Sequence, residues 1–207
     1  MKILQVVSSL KKEHSQSSKL SDAIVERLRE HDPSATVVTR NLSEFSLPHF
    51  SDAHFNALNN IDKIDTTQKV AITMLSDRLI DELLEADTII IGVPMYNLSI
   101  PSVLKSWIDF ITRAGKTFKY TPEGAIGLIE NKKVYLAIAS GGVYSAGPRQ
   151  AFDFTEPYLK AILGFLGLTD VHTFRVEGLA IPGIKDIAQE KAIQSLSSHS
   201  HFSNKVA

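Results

Sequence analysis

The chain has 207 residues, is 43% hydrophobic, carries a formal net charge of −1 and contains no cysteine. That length fits one domain with a sizeable core, and near-neutrality offers no electrostatic footprint for nucleic acid. Without cysteine there are no disulfides, thiolate metal sites or cysteine nucleophiles.

The opening run Ile3 to Val7 is largely apolar and reads as a strand rather than a signal peptide. No apolar stretch approaches the roughly 20 residues of a membrane span, so the expectation is a soluble cytoplasmic protein. A polar loop follows from Ser8 to Ser18. Leu20, Ile24 and Leu28 then mark an amphipathic helix to about His31. Hydroxyls at Ser8, Ser9, Ser15, Ser17 and Ser18 crowd the helix start. One serine suffices for a cap. Several beside free N–H groups and a helix dipole suit a phosphate. Neither the Walker lysine loop nor the glycine fingerprint of dinucleotide sites is present.

Ala35 to Arg40 reads as a shorter strand near an edge. Asn41 to Thr67 shows no period, and its Pro48, Phe50, His54 and Phe55 suggest a docked lid or interface segment. From Thr67 to Glu85 a long helix is expected. Val70, Met74, Leu75, Leu79, Leu83 and Leu84 are read as facing inward, and Asp77, Asp81, Glu82 and Glu85 as solvated.

Asp87 to Val93 is a β-branched run suited to a strand buried on both faces. Pro94-Met95-Tyr96-Asn97-Leu98 follows, and Pro101 opens a helix carrying Val103, Leu104, Trp107, Ile108 and Ile111. The intervening turn lies at the carboxyl end of a central strand, where open α/β sheets bind ligands. Met95, Tyr96 and Leu98 offer flat or soft apolar surface there, and Asn97 offers hydrogen bonds. An ordinary strand-to-helix loop remains open on spacing alone.

Arg113 to Gly124 reads as an excursion beside the site. Lys132 and Lys133 read as a solvated approach to the fourth strand, Val134 to Ala139, which ends in Ser140-Gly141-Gly142. Paired glycines at a strand end let backbone approach a ligand closely, though a tight turn explains them as well. Thr155 and Pro157 open a helix with Tyr158, Leu159, Ile162, Leu163 and Leu166 buried, and Gly167 closes it. Val171 to Val176 is the fifth strand and Ile187 to Leu196 the last helix. Residues 197 to 207 read as a frayed polar tail of the single domain spanning 1 to 207. His14, His54 and His172 show no ligand spacing, so no metal is expected.

Strands alternating with helices give an α/β, doubly wound parallel sheet, and the flavodoxin-like order 2-1-3-4-5 is expected. In that order the serine loop, Pro-Met-Tyr-Asn and Ser-Gly-Gly share one rim. A phosphate cradle, a flat-ring platform and a glycine backbone edge together describe an FMN pocket.

On these residues the chain resembles the FMN-dependent NADH-azoreductases, within the flavodoxin-like NAD(P)H:quinone oxidoreductases. The resemblance rests on Ser9 with Ser15-Gln16-Ser17, Pro94-Met95-Tyr96-Asn97, Arg113-Ala114-Gly115 with Thr117-Phe118 and Tyr120-Thr121, and Gly141-Gly142. Tyr158-Leu159, Gly164-Phe165-Leu166-Gly167 and Glu177-Gly178 also fit. It implies bound FMN, NADH or NADPH as hydride donor, a quinone or azo acceptor, and a homodimer. It implies that Ser9, Ser15, Gln16 and Ser17 hold the phosphate, and that Pro94, Met95 to Leu98 and Ala139, Ser140, Gly141 and Gly142 hold the ring.

Two positions depart. Leu98 stands where the family often has Phe, and Ala139-Ser140 where it often has Ser-Arg. The flavin would carry the hydride chemistry. Asn97 and the Gly141-Gly142 backbone would support its ring; Tyr144 is a candidate donor on the substrate side, with surface packing the favoured alternative. One shared flavin face predicts ping-pong kinetics. The alternative is a flavodoxin-type electron carrier reduced by a partner protein. Such carriers tend to be acidic and to lack the 41 to 67 segment. A receiver domain would need an acidic cluster where Ser8-Ser9 and Pro-Met-Tyr-Asn stand.

Overall fold

The computed structural model describes residues 1–45, 47–59, 61, 65–199 and 202. Five parallel strands form the central sheet: β1 (Lys2–Val7), β2 (Thr36–Asn41), β3 (Thr88–Pro94), β6 (Lys133–Ala139) and β7 (Asp170–Val176). Their order is β2-β1-β3-β6-β7, which is the expected 2-1-3-4-5 once the sheet strands alone are counted. A separate antiparallel hairpin, β4 (Phe118–Thr121) and β5 (Gly124–Gly127), makes up the numbering.

Central β3 is buried at every position, as its apolar run requires. Its alternate side chains serve two layers. Ile90, flanked in register by Gln5 and Tyr135, faces α1 (Gln16–His31) and α6 (Lys185–Ser197). Ile89 and Ile91 face α2 (Asp52–Leu58), α3 (Thr66–Glu85), α4 (Ser102–Ile111) and α5 (Glu156–Phe165). β2 is the edge strand the sequence suggests, with Thr36 and Val38 exposed.

Several readings need correction. The 41 to 67 segment contains α2, a short helix held by a capping box in which Ser51 and His54 bond reciprocally. The aromatic residues do dock: Phe50 and His54 lie 5.9 and 5.2 Å from Phe110 of α4. Ser46, Asn60 and residues 62–64 of that segment lie outside the described residues.

The face of α3 is as expected at Leu75, Leu79 and Leu83 and differs at Val70, Met74 and Leu84. Its buried side is Ile72, Ser76, Leu79, Ile80 and Leu83, while Val70, Met74 and Leu84 are exposed. Ser76 can face inward because its hydroxyl donates to the Phe110 carbonyl at 2.7 Å. Three of the acids expected to be solvated are partnered: Asp77 with Arg113 at 2.6 Å, Glu82 with Arg40, and the exposed Glu85 with Lys2 at 3.3 Å.

Lys132 is not merely solvated either. Its Nζ donates to the Leu84 and Ala86 carbonyls at 2.7 and 2.6 Å, closing the last turn of α3. The excursion after α4 is the hairpin, whose Phe118 packs on Phe165 at 4.6 Å. Of the expected tail, Ser197 ends α6, and Phe202 is buried against Tyr135 and Phe174. Residues 200, 201 and 203–207 lie outside the described residues. Among the described residues no helix is long and apolar enough to cross a membrane.

Candidate functional site

The carboxyl ends of β1, β3 and β6 are adjacent, because β3 pairs with both neighbours. Their loops, with the segment after β7, enclose a cleft of 180 Å³. Ser9, Ser15, Gln16, Ser17, Pro94, Met95, Tyr96, Ala139, Ser140 and Gly141 line it. Asn97, Leu98, Gly142 and Tyr144 are not in its lining. Asn97 and Leu98 are exposed on the rim.

At one end stands the start of α1. Ser15 caps it, its Oγ accepting from the Ser18 N–H at 3.1 Å. The Gln16 and Ser17 N–H groups are left without an acceptor among the described residues, as the first turn of any helix requires. Ser15 and Ser17 are buried with their hydroxyls 3.1 Å apart. Buried Ser9 accepts from Lys11 N–H at 3.2 Å. Ser8 belongs to the sheet instead, donating to the Gly92 carbonyl at 2.8 Å. This end therefore presents N–H and O–H donors with the positive end of a helix, the chemistry of a phosphate cradle.

The middle wall is the loop after β3. Met95 N–H bonds Ala139 carbonyl at 2.8 Å, tying the loop to β6. The Tyr96 hydroxyl accepts from Leu10 N–H at 3.3 Å, tying it to the loop after β1. Tyr96 and Ser99 exchange backbone bonds of 2.9 and 3.1 Å around Asn97 and Leu98, whose φ angles are +50° and +70°. That is the two-residue turn in which both central residues are left-handed.

The far end is the glycine loop. Gly141 and Gly142 carbonyls accept from Ala180 and Gly178 at 2.9 and 3.0 Å, while their N–H groups have no acceptor among the described residues. The loop thus turns its acceptors inward and leaves its donors free. The Ser140 hydroxyl is also spent inward, on the Gly142 carbonyl at 2.8 Å. A guanidinium approaches this loop from elsewhere: Arg149 Nη1 lies 2.9 Å from the position a Cβ on Gly142 would occupy.

A buried ion cluster backs the site. Arg175 of β7 pairs with Asp153, Glu156 and Glu177. Burial alone would raise the Glu156 carboxyl, but bonds from Lys160, Arg175 and Thr173 outweigh it and hold the pKa at about 2. Glu177 accepts from Tyr144 N–H at 2.7 Å and Ser145 N–H at 2.9 Å, pinning the chain just beyond the glycines. Tyr144 is therefore fixed through its backbone beside the cleft.

Sequence reasoning did not single out Lys11, His14, Leu179 or Ala180, which also line the cleft. Lys11 and His14 stand in the serine loop itself. Leu179 and Ala180 follow the end of β7, which the strand order sets beside β6. A larger hollow of 560 Å³ lies between β2 and α3, lined by Asp77, Asp81, Glu82 and Glu85 among others. Those four carboxylates outnumber the two cations of its lining, Lys2 and Arg78, which disfavours a phosphate, and it lies away from the carboxyl ends of the strands. The smaller cleft is the better candidate on both counts.

A family model described as Flavodoxin-like fold matches residues 1–199. An FMN-dependent NADH:quinone oxidoreductase of Herminiimonas arsenicoxydans is 46% identical over 180 residues, spanning 87% of this chain and 88% of its own. FMN-dependent NADH:quinone oxidoreductase 1 of Rhizobium etli is 42% identical over 193 residues, 93% of each chain. Among solved structures, an azoreductase from Bacillus anthracis superposes with a TM-score of 0.84 at 35% identity, covering 96% of this chain and all of the other (100%). An FMN-dependent NADH-azoreductase from Bacillus anthracis, solved in complex with FMN, gives 0.83 at 26% identity, covering 96% and 99%.

Proposed function

The chain belongs to the family of FMN-dependent NADH:quinone oxidoreductases with the flavodoxin-like fold, and we propose on that premise that it reduces quinones and azo compounds with NADH through FMN held in the cleft. One observation carries the reading. Two sets of backbone N–H groups at opposite ends of the cleft have no acceptor among the described residues: those of Gln16 and Ser17 at a helix start suited to phosphate, and those of Gly141 and Gly142 at a glycine edge suited to the polar margin of a ring. The residues fit FMN rather than FAD, because one cradle serves one terminal phosphate and the chain has no glycine fingerprint for a diphosphate.

When bound, FMN supplies the two-electron chemistry, accepting from the nicotinamide and passing on to the acceptor. The chain's own work is placement. Ser9, Ser15, Gln16 and Ser17 hold the phosphate. Pro94, Met95 and Tyr96 form the wall behind the ring, with Asn97 and Leu98 at its rim. Ala139 and Ser140 shape the loop on which the Gly141 and Gly142 N–H groups meet the ring's electron-rich edge. No side chain in this set has to move a proton for either half-reaction.

A wall on one side leaves one face for both substrates. Each must come within roughly 3–3.5 Å of the reacting atoms, so they occupy that face in turn, and the mechanism is ping-pong. The cleft is also smaller than the roughly 300–1,000 Å³ of a complete ligand pocket. Leu98, Phe152 and Phe154 are exposed beside it, and Phe154 N–H is bonded to the Leu98 carbonyl at 3.2 Å. A second copy covering this apolar rim would complete the site as a homodimer, in the cytoplasm where NADH is supplied.

Steady-state kinetics test the reading. Varying NADH at several fixed quinone concentrations should give parallel double-reciprocal lines. Intersecting lines would defeat the shared face. A yellow protein whose colour NADH cannot discharge would instead be an electron carrier served by a partner protein.

A further inference from the structure

A second depression of 490 Å³ adjoins the cleft, lined by Val143, Ala146, Pro148, Arg149 and Ile181. The two hollows share their dividing wall. Gly141 and Ala180 line the cleft, and Val143 and Ile181 continue the same two segments into the depression. Its lining is apolar except for one guanidinium.

Arg149 is exposed, and no carboxylate among the described residues pairs with it. The acids of this end of the sheet are already engaged. Asp153, Glu156 and Glu177 go to Arg175. Glu177 also takes both backbone donors of Tyr144 and Ser145 and the Ser145 hydroxyl. The same clamp fixes one side of the hollow before any ligand arrives, which reduces the ordering cost of binding. Arg149 Nη1 and the Tyr144 ring edge stand 2.9 and 3.0 Å from the would-be Cβ of Gly142. The free cation therefore sits at the border between the ring end of the cleft and the depression.

We propose that this depression receives the adenosine-diphosphate half of the nicotinamide donor, with the Arg149 guanidinium on its diphosphate. The inference rests on the NADH oxidoreductase reading. Three ligands must be placed, and two need no cation here. The FMN phosphate is served by the serine cradle at the other end of the cleft. The acceptor, a quinone or an azo compound, is reduced at an uncharged double-bonded centre, so its reaction calls for no fixed anion site. The donor's diphosphate is the anion left over, and the chain lacks the glycine loop that would bind it through backbone. A guanidinium fork matches two phosphate oxygens. Val143, Pro148 and Ile181 provide an apolar wall for the adenine.

The test uses FMN-loaded protein, with ADP-ribose as the probe for the donor's distal half and reduced nicotinamide mononucleotide as a donor lacking that half. In the wild type, ADP-ribose should bind by calorimetry and compete with NADH. Arg149→Gln should raise KM for NADH and weaken ADP-ribose by about tenfold, the scale of one solvent-screened charge-assisted bond. Arg149→Lys should recover part of both. The truncated donor should be used equally by wild type and Arg149→Gln. An unchanged NADH KM overturns the proposal. So does a loss confined to FMN affinity or to quinone KM, which would put Arg149 on the cofactor or the acceptor. A wild type that binds ADP-ribose through Arg149 yet does not oxidise NADH removes the proposed reaction and keeps this site. A wild type that binds no ADP-ribose removes the site whatever its activity.

Discussion

Leu98 occupies a backbone position that its side chain opposes. Its φ of +70° follows the +50° of Asn97, inside a turn closed by the Tyr96–Ser99 pair. Asn tolerates the left-handed region; a residue with a Cβ and no local hydrogen bond costs roughly 1–2 kcal/mol there. The clean comparison is Leu98→Ala against Leu98→Gly, since both lack the Leu side chain and only Gly relieves the strain. Elsewhere Gly is the less stable of the two by roughly 0.5–1 kcal/mol, through the freedom it gives the unfolded chain. At position 98 the order should reverse, with Gly favoured by about 0.5–1 kcal/mol. For a domain of this size that is a Tm difference of about 1–4 °C, read on apo-protein by thermal unfolding. An Ala variant as stable as the Gly variant would refute the strain argument.

Two further outcomes follow from the site. Ser17→Ala should weaken FMN by the worth of one bond to a charged group, about 1.5–3 kcal/mol, and Ser17→Asp by more, because a buried carboxylate would face the phosphate; equal affinity of wild type and Ser17→Asp in a titration of apo-protein would remove the phosphate assignment. Glu156 is held down from its ordinary 4.5 to about 2, so its stabilisation is complete above about pH 4.5 and is lost as pH falls toward 2. Glu156→Gln should therefore destabilise the protein at pH 7 by on the order of 1–2 kcal/mol once solvent screening is allowed for, with the gap closing in urea titrations repeated down to pH 2–3; a gap independent of pH would show that Arg175 does not depend on the Glu156 charge.

The sheet is legible in the sequence because its strands are buried on both faces. Ile89, Ile90 and Ile91 in succession fit no amphipathic helix and no half-exposed strand. Helices that must cover such a sheet are legible where their apolar residues fall only inward, as in α4. They are not where charge and burial coincide. On α3, Asp77 and Glu82 look like solvent positions until Arg113 and Arg40 are brought to them from distant parts of the chain. Val70 and Met74 look like core until the phase of the helix is fixed by Ser76 meeting the Phe110 carbonyl. The hairpin escapes because four-residue strands with glycines at β5 give too short a pattern, and it is held from outside by Phe118 on Phe165. At the site the serines, the Pro-Met-Tyr-Asn run and the glycines could be read because each is a local backbone device. Arg149 could not, and Glu177 could be read only as part of the family pattern and not for its bonds to Tyr144 and Ser145, because the surroundings of both depend on which loop lies beside β7.

The same distinction explains why the cleft suits an electron-rich ligand. In the glycine loop every carbonyl from Ser140 to Gly142 is taken, by Leu179 at 3.2 Å, Ala180 and Gly178. At the start of α1 the Ser15 carbonyl is taken by Lys19 at 3.1 Å. What remains unpaired at both ends is N–H. A neutral apolar molecule would leave those donors buried without partners, at a cost of about 1–3 kcal/mol each. A ligand with a phosphate at one end and a carbonyl-bearing ring edge at the other satisfies both sets. It also finds donors already aimed where further negative charge develops, so no side chain has to reorganise when electrons arrive. On the reading proposed above, a donor and an acceptor take turns at the open face. Asn97 and Leu98 border that face in the one turn of the loop that is held against its intrinsic preference.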